Sequence, residues 1–230
     1  MKTRRRARVV LAPALLGGLL VSGCGQLGPG TAAVVGDTRI SDRQVQDVAA
    51  AQCDLRDSLK GQQGVSATSR SKLTTSSLGL LMDTALSRQF GASQKAAADP
   101  LVVKAFLDQV EPLFKPLKAG PEATLTSAFT TWAKARAQLV DVAARKTGQK
   151  PTAQNLQQLL DAGLAQRAAW LKSTSPTIHT DARYSPGKDG FPGAGDGSVS
   201  AAGSDYARAA AKTDLDPTFA ASLPASQKCG

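Results

Sequence analysis

The residues able to do chemistry are few, and their spacing limits what they can do. Ser69-Arg-Ser-Lys72 reads S-x-x-K and Lys146-Thr-Gly148 reads K-T-G, two parts of a set in which a lysine-assisted serine performs acyl transfer. The third part, S-D-N, is missing between them, and K-T-G falls at the end of a helical pattern instead of on a strand. His179 is the single histidine; it has no local support for a Ser-His-Asp site and reads as an ordinary polar residue near a strand. Two cysteines and one distant histidine lack metal-ligand spacing. There is no G-x-S-x-G, no H-E-x-x-H and no glycine loop placed to cradle a phosphate before a helix. The sequence therefore points to a protein that is not an enzyme, with no catalytic residue, metal or cofactor.

One cysteine has a different chemistry. Residues 1–8 carry five positive charges and no acid, and an apolar run follows from Val9 to Leu20. That is the pattern of a secretory signal peptide; at about 12 residues the run is too short to span a bilayer. At its end, Val21-Ser-Gly-Cys24 resembles the lipobox of bacterial lipoproteins, where small residues let a peptidase and a lipid transferase approach the backbone. The resemblance implies that the Cys24 sulfur takes a diacylglycerol carrying fatty-acyl (palmitate) chains. Cleavage after residue 23 then makes Cys24 the first residue of a protein held by lipid on the outer face of the cell membrane. Residues 24–30, rich in Gly and Pro, form the tether.

Loss of the leader changes the charge argument. The whole chain has a net charge of +10, and five of those cations leave with residues 1–23, so the mature chain carries +5. Its remaining charges are interspersed, and an exported protein rarely meets nucleic acid, so no nucleic-acid partner is expected. With Cys24 assigned to lipid, Cys53 and Cys229 remain. An even pair in an exported chain points to a disulfide, one that would staple the C-terminal end onto an early helix; two free thiols are the alternative.

The elements that position these residues are mainly helical. Thr31-Ala-Ala-Val-Val35, Gly36-Asp37 and Thr38-Arg-Ile40 read as a hairpin with a Gly-X turn of type II′. Ser41-Asp-Arg-Gln44 is a capping box, and Ile40 is set to staple onto Val45. Val45, Val48, Gln52, Leu55 and Leu59 then follow helical spacing, with Cys53 at the edge of the apolar face. A second helix is expected over about 71–90 with Gly91 as its cap. A third opens at Asp99-Pro100 and ends or kinks at Pro112 and Pro116. The longest covers about 122–146, with Leu125, Phe129, Trp132, Arg136, Leu139, Val140 and Ala143 on one stripe. A fifth covers about 152–172. The stripes read most simply as core; Phe129, Trp132 and Trp170 are alternatively the lining of an apolar groove, and the sequence leaves both open. Residues 177–184 read as a late extended segment. The Gly-, Pro- and Ser-rich stretch 185–203 reads as a flexible loop, and 204–212 as a short helix.

With these elements in place, Ala33-Val-Val-Gly-Asp-Thr-Arg-Ile-Ser41 and its capped helix resemble the start of the N-terminal chaperone domain of SurA- and PrsA-type proteins, related to the peptide-binding part of trigger factor. Asp181-Ala-Arg-Tyr184 resembles the late element of that family, with Ala182 where Pro is common and Val35 where Asn is usual. The resemblance implies a mainly α domain over 31–185, in which a small N-terminal hairpin pairs with a late strand, followed by a flexible tail, 186–230. No room remains for the parvulin isomerase domain that many relatives carry. The implied function is a non-catalytic holdase for unfolded secreted chains, with Phe129, Trp132 and Trp170 as candidate client-binding residues. An adaptor lipoprotein that docks one folded envelope partner is the alternative.

Overall fold

A computed structural model describes residues 27–62, 65–193, 204–210 and 216–230. The leader 1–23 and residues 24–26 of the tether, Cys24 among them, lie outside the described residues. Strands β1 (Thr31–Val35) and β2 (Thr38–Ser41) form the expected hairpin. Gly36 has φ +55° and Asp37 is not in the positive-φ region, so only the first central residue is left-handed, as type II′ requires. Ser41 ends β2 and caps α1 (Asp42–Ser58), its Oγ accepting from Gln44 N at 3.1 Å. Ile40 and Val45 are both buried in one cluster, the staple that sets the angle at which the chain enters α1.

The hairpin is completed from far along the chain. Strand β4 (Ile178–Thr180) pairs antiparallel with β1, Ala33 opposite Thr180 and Val35 opposite Ile178, giving the order β2-β1-β4. The fold class expected from sequence is thus observed: mainly helical, with a small hairpin joined by a late strand. One face of this sheet packs on Leu78, Met82, Ala85 and Leu86 of α2 (Arg70–Ser93). Strand β3 (Thr68–Ser69) leads into that helix.

The body is built from α2, α3 (Pro100–Phe114), α4 (Ala119–Thr147) and α5 (Leu156–Thr174). Their shared core contains Phe90, Phe106, Leu139, Val140, Ala143 and Leu159. Gly163 lets α5 approach α4 closely: a Cβ built there would lie 2.4 Å from the Leu139 carbonyl oxygen. One sequence expectation needs correction. Gly91 does not cap α2, which runs on to Ser93; it is buried inside the helix where the Gln138 side chain crosses it, and Lys95 takes the left-handed conformation instead. α3 runs through Pro112 and ends at Phe114, two residues before Pro116.

The C-terminal region carries more structure than its composition announces. Residues 186–193 fold back, with Pro186 bridged to Pro192, Thr180 Oγ1 donating to the Gly190 carbonyl at 2.6 Å and Phe191 packed beside the sheet. Residues 194–203, the rest of the Gly-rich stretch, lie outside the described residues. The short helices α6 (Asp205–Ala210) and α7 (Pro217–Ser222) follow. Strand β5 (Lys228–Cys229) pairs with β3. Cys53 and Cys229 form a disulfide, Cα to Cα 5.0 Å, buried with Ala49 and Leu73.

Candidate functional site

The motifs that looked catalytic serve as helix ends. Ser69 caps α2, its Oγ accepting from Lys72 N at 3.1 Å. In Lys146-Thr-Gly148, the Thr147 hydroxyl donates to the Ala143 carbonyl and Gly148, at φ +68°, closes α4. His179 is exposed on β4, opposite Val34. Among the described residues no group of three or more His, Cys, Asp or Glu is placed to hold a metal ion, and no helix is long and apolar enough to cross a membrane.

The late Asp181-Ala-Arg-Tyr184 element closes the hairpin end of the body. Residues Ala182–Tyr184 make one 3-10 turn capped by Asp181. Arg183 Nη2 donates to Asp42 Oδ2 at 2.6 Å, and the Tyr184 hydroxyl donates to Asp42 Oδ1 at 2.9 Å. Asp42, in the first turn of α1, is thereby bound to residues about 140 positions away. Hydrogen bonds from Arg183 hold the Asp181 carboxyl below the usual carboxylate range, and the same bond, with that to Asp42, raises Arg183. Burial, then the bond to Asp42, pushes the Tyr184 phenol up to about 12.

The three aromatic candidates are divided between two places. Phe129 and Trp132 belong to a ladder of rings, Phe114 to Phe129 at 5.3 Å, Phe129 to Trp132 at 5.8 Å and Trp132 to Phe106 at 5.7 Å. Trp170 packs instead on Phe90, 5.7 Å between centroids. All three are half-buried. Their rings tie α4 to α3 and α5 to α2, in the tilted and edge-on geometries that aromatic pairs favour. The core reading thus accounts for most of their surface, leaving an edge of each to solvent.

A groove lies beside that ladder and went unread in the sequence. It has a volume of about 550 Å3 and runs between the start of α1 and the first half of α4, with Leu81 and Thr84 of α2 as part of its floor. Ala123, Thr124, Ser127, Ala128 and Thr131 form the α4 wall. These side chains recur at three- and four-residue spacing, so they share one face, and being small they leave the space between α1 and α4 unfilled. The three lining threonines spend their hydroxyl proton inside their own helix: Thr84 on Leu80 O at 2.7 Å, Thr124 on Gly120 O at 3.1 Å and Thr131 on Ser127 O at 3.0 Å. What remains for a ligand is an oxygen that accepts and a methyl group. Arg43 and Asp47, 3.8 Å apart, stand at the same groove.

A second feature lies on α3. Leu101 is 78% exposed and Leu113 49% exposed, the two outward leucines of the described helices. A shallower hollow of about 420 Å3 beside them has Val103 and Leu107 in its floor and Lys104, Asp108, Glu111 and Lys134 around it. Compared with protein-family models, curated proteins and solved structures, the chain matches none.

Proposed function

We propose that this chain is an exported, lipid-anchored protein whose helical body holds segments of unfolded protein without catalysing a reaction on them. The observation that carries the reading is the groove between α1, α2 and α4. Its mixed lining of methyl groups and accepting oxygens suits an extended polypeptide, which presents backbone N–H donors and small apolar surfaces in any sequence. A site that uses few charges and no deep apolar pocket binds weakly and without strong selectivity, as a holder of many clients must. The hairpin paired to β4 and the Asp181-Ala-Arg-Tyr184 closure support the resemblance from which the reading began. The anchor at Cys24 would keep such a body at the outer membrane face, where secreted chains emerge.

The experiment is aggregation of a chemically unfolded client followed by light scattering, with the chain lacking its leader and lipid. Suppression at equimolar ratio is expected, and Ala128→Trp, which fills the groove from an already half-buried position, should weaken it severalfold. No suppression at several-fold molar excess overturns the proposal.

The exposed leucines of α3 favour a second reading, an adaptor that docks one folded envelope partner. Leu101→Ser with Leu113→Ser should abolish capture of that partner while leaving aggregation suppression intact.

A further inference from the structure

We propose that Arg136 and Arg167, which converge on the single carboxylate of Asp83, form a binding site for a small oxyanion of the carboxylate or phosphate class. The three side chains come from α4, α5 and α2. Arg136 Nη2 donates to Asp83 Oδ2 at 2.9 Å. Arg167 Nη1 lies 2.5 Å from Asp83 Oδ1, 3.2 Å from the Asp83 carbonyl and 2.5 Å from Ser87 Oγ. Two cations thus face one anion, and the Nε–H of each arginine is buried without an acceptor among the described residues.

Such an excess is unfavourable in a half-buried place. Burial is the main force lowering Arg136, and the neighbouring Arg167 charge adds to it, against the attraction of Asp83. An arriving anion would relieve the repulsion and use donors that Asp83 cannot satisfy; guanidinium forks match the two oxygens of a carboxylate or phosphate. The two Nε atoms are closed to solvent, so an anion first meets the exposed remainder of the side chains, of which Arg136, Arg167 and Asp83 keep 18%, 15% and 26%. The Trp132 ring, 5.5 Å from the Arg136 guanidinium carbon, walls one side and lowers the local dielectric. Arg136 lies five residues beyond Thr131 on α4, so the site begins about 7–8 Å past the end of the groove. It neither requires nor excludes client binding there.

Trp132 supplies the readout. In the chain carrying Trp170→Phe, sodium phosphate and sodium acetate are titrated against sodium chloride at equal ionic strength, and Trp132 emission is followed. A saturable change with phosphate or acetate, absent with chloride, is expected at millimolar concentration. Arg136→Met and Arg167→Met should each weaken it at least tenfold. Asp83→Asn should tighten it, because the ligand then supplies the only negative charge between the two cations. Tighter phosphate assigns phosphate groups as the ligand and tighter acetate assigns carboxylates; either supports the site. An identical response to chloride, or an unchanged midpoint in Arg167→Met, overturns it. If the arginine variants do not fold, Asp83→Asn decides: tightening supports the site and an unchanged midpoint overturns it.

Discussion

Cutting the Cys53–Cys229 bond is the perturbation whose size the structure sets most directly. The bond joins positions 176 residues apart, so α1 through β5 lie almost wholly within the closed loop. In the chain-entropy account, a loop of that length restricts the unfolded ensemble by about 5 kcal/mol. That is a large part of the roughly 5–15 kcal/mol that keeps an ordinary domain folded. In the native state the loss is small, because β5 also pairs with β3 and Gly230 N donates to Asp57 Oδ1 at 2.6 Å. The effect should therefore come through the unfolded chain. The assay is urea unfolding followed by circular dichroism, comparing oxidised protein with Cys53→Ala/Cys229→Ala. With a slope of about 2 kcal/mol/M, the midpoint should fall by about 2.5 M urea. A fall of less than about 0.5 M would refute the reasoning, since the ends would then already lie together in the unfolded chain.

Other perturbations have sizes that follow from single contacts. Gly163→Ala places a methyl group 2.4 Å from the Leu139 carbonyl oxygen, and since backbone must move, chemical unfolding should show a loss of about 1–3 kcal/mol. Gly36→Ala meets both a φ of +55° and the Gln89 amide, whose Nε2 donates to Val35 O at 2.7 Å; it should cost about 1–2 kcal/mol. The Tyr184 phenol is raised to about 12 in the fold, above its unfolded value near 10. Its contribution is complete below pH 10 and is lost as pH rises from 10 to 12, so Tyr184→Phe should flatten the alkaline fall in stability measured by thermal unfolding. Intact mass of the membrane-extracted protein should show Cys24 at the N-terminus with diacylglycerol attached, and Cys24→Ser should release the protein from membranes.

What could be read in the sequence was local or countable. The Ser41 cap and the Gly36 turn are each decided within four residues, so hairpin and α1 were legible to the residue. The pairing of Cys53 with Cys229 followed from counting, once Cys24 was set aside for the lipid that its resemblance to a lipobox implies. Pairing of β1 with β4 spans about 145 positions and has no local signature; it came through the resemblance of Asp181-Ala-Arg-Tyr184 to a family's late element. Gly91 misled because a glycine near a helix end serves equally as a cap or as a gap for a crossing side chain, and only the position of Gln138 separates the two. The groove was invisible because Ala123, Ser127 and Thr131 look like an ordinary polar face until α1 is set beside them. Arg136 did leave a signal: a charge on an otherwise apolar stripe marks a buried partner, but the partner, Asp83, sits 53 positions away.

The proposal that the groove holds many unfolded chains is tested most directly by light-activated cross-linking in living cells. A photoreactive phenylalanine derivative is placed at Thr131 in one strain and at Leu113, on the outer face of α3, in another. A ladder of many secreted proteins from Thr131, and few from Leu113, is the expected result. A single dominant product from Leu113, with nothing captured at Thr131, would contradict the account and leave an adaptor in its place.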